Sequence, residues 1–301
     1  MSDMKNLKKP DMKYWPDVRW WLAEGFHTDQ TLKTDIQSLY DSGFGAIEFL
    51  AMEEPGADSK LYGWGAEEWV HDSHVVVEEA TKKNMGVSFT CGTNWANANL
   101  ITITPDDKAA AKELDYVVET LAPSQTRSGK ILETRLFMPG VTKQDLIAVV
   151  AVKSLGEKEG KKYLDKDSAV VLTDRVKDGE LEWTAPSDGE YLIFYFWIHG
   201  TGQTAQPSVS TSYTVNYIDH DGIDAFIDYW ENVVLTKELR ENLKKNGRGM
   251  MYMDSLELAT FGRGGQFWGY CFMDEFKARR GYDLTPYLPF IVKNSGMMQP
   301  V

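Results

Sequence analysis

The feature that most constrains this chain is a change of hydrophobic period. Val18–Leu22 is a short apolar run, and Gln30–Ser42 then carries Leu32, Ile36, Leu39 and Tyr40 at helical intervals before Gly43 stops it. Phe44–Met52 reads as a second strand with Glu48 embedded in it, Glu67–Asn84 as a helix and Met85–Cys91 as a third strand. Strand and helix in strict alternation is the pattern of parallel βα units. From Leu114 to Val215 that spacing vanishes. Short strand-like runs take over at Leu114–Leu121, Glu133–Met138, Leu146–Val152, Ala169–Leu172, Leu181–Trp183 and Tyr191–Trp197, and Pro139-Gly140, Asp178-Gly179 and Asp188-Gly189 separate several of them. Helical spacing returns over Asp221–Lys245, followed by a strand at Met250–Leu258 and a helix at Trp268–Arg280.

The expected fold class is therefore α/β: a (β/α)-barrel of the TIM type, incomplete, with an inserted antiparallel β-sandwich. Residues 1–113 hold the first βα units, 114–215 the sandwich, and 216–301 further βα units. A closed barrel needs eight units, and the chain ends where a fifth strand should begin. The expectation is an N-terminal part of a barrel, or a half-barrel completed by remaining chain or by a homo-oligomeric partner.

Composition narrows the function. A formal net charge of −13 disfavours nucleic acid, whose phosphates need a basic face. No apolar run approaches the roughly 20 residues that span a bilayer, so no membrane partner is expected. The lysine-containing start has no apolar stretch behind it, so it is not a signal peptide; a cytoplasmic location is expected, or a secreted one if a leader has been removed. Cys91 and Cys271 sit in no C-x-x-C or Cys/His metal pattern. The chain has 10 Trp and 14 Tyr, Trp21 and Trp95 among them, and indole faces suit the C–H faces of sugars. A small-molecule carbohydrate or glycoside is the expected partner.

The candidate chemistry gathers where strands end, because barrel enzymes place catalytic groups at strand C-termini. Glu24 and His27 follow the first strand, Glu48 lies in the second, and Asn94 and Trp95 follow the third in GTNWANAN. Asp254 and Glu257 sit in DSLEL, at the end of the fourth. Crowded carboxylates have their pKa values pushed apart, which separates acid from base roles. Asparagine amides offer donors and acceptors to vicinal hydroxyls. His220 stands in YIDHDG, beside Asp219 or Asp221 as a helix N-cap. No H-E-x-x-H, G-x-S-x-G or GxxxxGK[ST] occurs, and GRGGQ lacks the spacing of a phosphate cradle.

The order of strand, D-S-x-E, glycine-rich loop and E-F-x-x-R-R-G-Y-D-L-x-P-Y-L resembles glycoside hydrolase family 106, the α-L-rhamnosidases and their relatives. VRWWLAEGFHTDQTLKTDIQSLYDSGFGAIEF, MGVSFTCGTNW and YIDHDGIDAFIDYW resemble further segments of that family in order. The resemblance implies an inverting exo-glycosidase that releases terminal α-L-rhamnose or a similar sugar. Glu257 takes the position of a catalytic carboxylate, and Glu48 is the candidate for the second. Asp254, Asn94, Trp95, His27, Trp21 and His220 are the candidates for substrate contact. No cofactor is required, and calcium is the ion the resemblance allows. The loop after Glu257, ATFGRGGQFW, departs from the family's G-x-x-W-T. The alternative is a non-catalytic carbohydrate-binding or scaffold protein that keeps the aromatic mouth without turnover.

Overall fold

This computed structural model describes residues 10–94, 98–158, 161–204, 210–254, 256–292 and 295–297. In chain order the elements are β1 (Asp17–Glu24), α1 (Asp29–Asp41), β2 (Ala46–Glu53), α2 (Glu67–Lys82), β3 (Gly86–Thr90), β4 (Asn99–Leu100), β5 (Lys112–Leu121) and β6 (Thr126–Lys130). Then come β7 (Gln144–Lys158), β8 (Lys161–Val171), β9 (Glu180–Thr184), β10 (Tyr191–Gly200) and β11 (Tyr213–Thr214). Last are α3 (His220–Tyr229), α4 (Lys237–Asn246), β12 (Gly249–Tyr252), β13 (Gln266–Trp268), α5 (Phe272–Arg280) and β14 (Ser295–Met297). They form two compact units, one from Met1–Ile103, Thr204–Val215 and Asp224–Leu258, the other from Thr104–Gln203, Asn216–Ile223 and Ala259–Val301.

The first unit is built on a four-stranded sheet in the order β1-β2-β3-β12, parallel throughout. It is a curled half of a barrel wall; a complete barrel is not present among the described residues. The Thr28 hydroxyl caps α1 by accepting the Thr31 N–H, and Leu32 and Ile36, one turn apart, are its buried face. Helix α2 buries Trp69, Val76, Val77 and Ala80. Phe49 and Phe89 from the sheet meet Trp69, with ring centroids 6.2 and 6.3 Å away, and Phe89 also meets Trp230 at 6.3 Å. One face of the sheet is thus covered by helices.

The single helix expected over Asp221–Lys245 is instead α3, a wide π turn at Trp230–Val234, and α4. Thr236 is the reason. Its hydroxyl accepts the Leu239 N–H, making it the N-cap of a new helix with extended backbone. Apolar spacing runs on across the break and conceals it.

The second unit is a six-stranded sheet, β13-β5-β10-β7-β8-β14, antiparallel except for the parallel β8–β14 pair. Its central strand β10 is buried at every residue, so it reads as an unbroken apolar run. Leu192, Phe194, Phe196 and Ile198 point into one core with Leu114, Val150, Trp268, Leu284, Leu288 and Val292. Tyr191, Ile193, Tyr195 and Trp197 point into the other, with Leu181 and Trp183 of the β6–β9 ribbon.

The units cut across the three stretches expected from the sequence. A sheet at 112–200 is present, but its first core is closed by Trp268, Leu284, Leu288 and Val292 rather than by a second sheet from 114–215. Those residues need a large apolar face, and β10 supplies it. No strand forms at Glu133–Met138. The glycine-rich loop is also accounted for here. Glu113 Oε2 accepts the N–H groups of Phe261 and Gly262 at 2.9 and 2.7 Å, and Asp115 Oδ1 accepts those of Arg263 and Gly264 at 2.6 and 3.3 Å. A Cβ on Gly264 would stand 1.9 Å from the Leu114 carbonyl oxygen, so only glycine lets the loop come this close.

Candidate active site

Arg19, Glu48, Ser88 and Met250 are register partners across β1, β2, β3 and β12. Partners in register share a face, and this is the face opposite Phe49 and Phe89. Arg19, Glu48, Ser88, Met250 and Tyr252 line a cavity of about 320 Å³ there. Arg19 organises the polar groups. Its Nε donates to Glu48 Oε2 at 3.1 Å and its Nη2 to Asp254 Oδ2 at 3.0 Å. The Tyr252 hydroxyl donates to the same Asp254 oxygen at 3.1 Å and also meets the guanidinium. That guanidinium lies 4.8 Å from the Tyr252 ring centre and 5.8 Å from that of Trp21.

Glu48 is nearly buried, and its second oxygen, Oε1, has no hydrogen-bond partner. Burial pushes its carboxyl above the ordinary range, the Arg19 hydrogen bond and charge pull it back, and the Asp254 charge adds to the rise. The net direction is up, so Glu48 holds a proton more tightly than a surface glutamate.

The strand ends differ from expectation. Glu48 is third in an eight-residue strand, so it stands mid-sheet rather than at the rim. Asp254 lies two residues beyond β12, and the length of Arg19 spans the gap. β12 stops at Tyr252 instead of running to Leu258; among the described residues, those from its end to Leu258 pair with no strand, and Leu256 is 50% exposed. Glu257 is exposed in the segment that follows. Asn94 is buried just after β3, and Trp21 is exposed on the edge strand β1. Trp95 lies outside the described residues. His220 belongs to the second unit, where it is exposed at the start of α3 and lines a cavity of about 440 Å³ with Asp219, Cys271, Arg279 and Arg280.

His27 meets a different set of groups. Its Nε2 is 3.6 Å from Glu24 Oε2, at the end of β1, and 3.6 Å from Asp72 Oδ2, on α2. All three side chains are buried, and no hydrogen bond of normal geometry reaches either Glu24 oxygen or His27 Nε2. Burial first, then the facing Asp72 carboxyl, push Glu24 up to about 9, against a smaller pull from the Gly25 N–H. Burial raises Asp72 too.

Sequence reasoning missed Arg19, Tyr252 and Asp72. Arg19 had a signal: it alternates with Val18 and Trp20 in a strand, so it had to share a face with some residue of β2. Asp72 had none, because an acid on a helix is ordinarily a solvated one.

Comparison with known proteins gives a family. The model of glycoside hydrolase family 106, described as alpha-L-rhamnosidase, matches residues 141–295, just over half of the chain. A rhamnosidase structure from Novosphingobium sp. PP1Y superimposes with a TM-score of 0.64 at 13% identity, over 95% of this chain and 42% of that one. At that identity the likeness concerns the fold, and this chain spans less than half the length of that protein. No curated protein matches. No helix among the described residues is long and apolar enough to cross a membrane.

Proposed function

The chain belongs to glycoside hydrolase family 106, and from that premise we propose that it hydrolyses the bond to a terminal α-L-rhamnosyl or similar sugar, with inversion. The observation that carries the proposal is Glu48. It is a buried carboxyl with raised proton affinity, one oxygen fixed by Arg19 and the other unpartnered, beside a cavity on the uncovered face of the sheet. In this reading Glu48 protonates the glycosidic oxygen as the bond from C1 breaks. Glu257 takes a proton from the water that attacks C1 from the opposite side. Inverting enzymes set the two carboxyls roughly 6.5–9.5 Å apart to admit that water. Arg19 and Asp254 keep Glu48 in place. Trp21, Asn94 and Trp95 are the proposed sugar contacts.

The test is hydrolysis of an aryl α-L-rhamnoside by the chain, with the anomer of the released sugar read by NMR. The β-anomer is expected first. Glu48→Gln and Glu257→Gln should each lower kcat by about 10²–10⁴-fold, the range for a general acid or base, with rhamnose affinity little changed. If the wild-type chain binds rhamnose by calorimetry without turnover, the carbohydrate-binding alternative replaces this reading. If it neither binds nor hydrolyses, both fail.

A further inference from the structure

We propose that Glu24, His27 and Asp72 form a binding site for one divalent transition-metal ion, with zinc the best fit. Each side chain offers one ligand atom, and the three atoms lie within 4.8 Å of one another. The two measured separations from His27 Nε2 are both 3.6 Å. Tetrahedral donors about 2.1 Å from a zinc ion stand about 3.4 Å apart, so the ion needs only a small inward movement of the three side chains.

The surroundings gather polar atoms in poor supply of partners at this point. The side chains of Glu24, His27 and Asp72 are 0%, 5% and 7% exposed. Both Glu24 oxygens and His27 Nε2 are buried without a hydrogen bond of normal geometry. A buried polar atom left unpaired is destabilising, and more so if charged. Here three such atoms belong to one cluster, and two of its members are acids that repel each other when ionised. A divalent cation relieves both costs together.

The donor set selects the ion. Calcium takes six to eight oxygen ligands and has little use for imidazole. Both groupings of ligand-type side chains among the described residues contain a histidine: this one, and the neighbouring Asp29, His71 and Asp72. One nitrogen and two carboxylate oxygens, with a position left for water, suit zinc or a similar borderline ion. The calcium allowed by the family resemblance does not fit this cluster. The second grouping is less buried, and its His71 Nε2 and Asp29 Oδ1 pair at 3.0 Å.

The experiment is a titration of chelator-treated full chain with zinc, followed by calorimetry and by the visible spectrum after cobalt(II) substitution. One ion per chain is expected, with a rise in Tm, a cobalt spectrum that includes a nitrogen ligand, and no competition from equimolar calcium. His27→Gln and Asp72→Asn should each weaken binding on the order of 100-fold, beyond the loss usual for an outer-shell change. Glu48→Gln, at a site with its own activity test, should leave uptake unchanged. No uptake by the wild-type chain, tighter binding of calcium than of zinc, or equal affinity in His27→Gln overturns the proposal. The first of these outcomes means that Glu24 and Asp72 share a proton instead.

Discussion

Each unit buries two carboxylates around one imidazole, and the two clusters are served differently. In the second unit His199 lies between Glu113 and Asp115, 3.8 and 3.6 Å from their oxygens. Its Nδ1 donates to the Gly200 carbonyl at 2.9 Å, and the two acids accept the N–H groups of Phe261 to Gly264. Asp115 ends below its ordinary range: burial pushes it up, but His199 and the Tyr116 and Arg263 N–H groups outweigh burial. His199 ends above its own, since Asp115, Gly200 and Glu113 outweigh the burial that would lower it. In the first unit Glu24, His27 and Asp72 have no such supply of backbone donors, and Glu24 rises to about 9. The same three residue types make a loop clamp where four loop amides converge and, as proposed above, a ligand site where the Gly25 N–H alone pulls on Glu24. Donor supply, not residue type, distinguishes them.

The sharpest way to break this comparison is to remove one acid from each cluster. Asp115→Ala strands the Arg263 and Gly264 N–H groups and removes an acid that raises the proton affinity of His199, so it should cost about 3–5 kcal/mol, the range for breaking a buried pair. Glu24→Gln in chelated protein exchanges a carboxyl that burial keeps protonated for a neutral amide and should cost less than about 1 kcal/mol. Urea melts of both variants, with metal removed, read the difference directly. Equal losses would mean that the two clusters are held alike.

A second test leaves the acids in place and moves the amides. Gly264→Ala puts a methyl group against the Leu114 carbonyl, which lifts the loop off Glu113 and Asp115. A cost of about 3 kcal/mol is expected, at the upper end for overpacking. The control is Gly247→Ala in the first unit. Its φ is +65° and an added Cβ meets nothing within 4 Å, so only backbone strain remains, about 1 kcal/mol. Thermal melts that show equal losses would remove the loop clamp from the account.

The sequence carried the parallel βα order and the antiparallel middle because both rest on local period. α1, α2 and the first three strands lie within a few residues of where spacing puts them. What period cannot show is which distant segment closes a core. Trp268, Leu284 and Leu288 read as further barrel units, yet they complete the sheet built on β10. The site divides in the same way. Glu48 stood out as an acid inside an apolar strand, and His27 as a histidine near a strand end. The partners that give them their chemistry, Arg19 for one and Asp72 for the other, come from 29 and 45 residues away in the chain and only packing joins them.

A smaller effect is expected in the second unit, at a buried lysine that donates to a backbone carbonyl. Lys112 is 2% exposed on β5, and its ammonium donates to the Pro105 carbonyl at 2.6 Å. Burial lowers it to about 8, against the pull of Asp106, Asp107 and Asp145. The sign follows from proton counting. Between pH 8 and the unfolded value of 10.5 the unfolded chain holds a proton that the folded chain has released, so stability rises with pH across that window. Below about 8 both states are protonated and the burial penalty is present in full. Lys112→Met removes the charge while keeping most of the side-chain length, though it leaves the Pro105 carbonyl without that donor. A net gain of about 1–2 kcal/mol at pH 7 is expected, as for other buried charges exchanged for apolar groups. The slope between pH 8 and 10.5 should flatten in the variant. Urea melts at pH 7, 8, 9 and 10 measure both. A variant less stable than wild type at pH 7, with the slope unchanged, would show that Lys112 is as well served as Asp115.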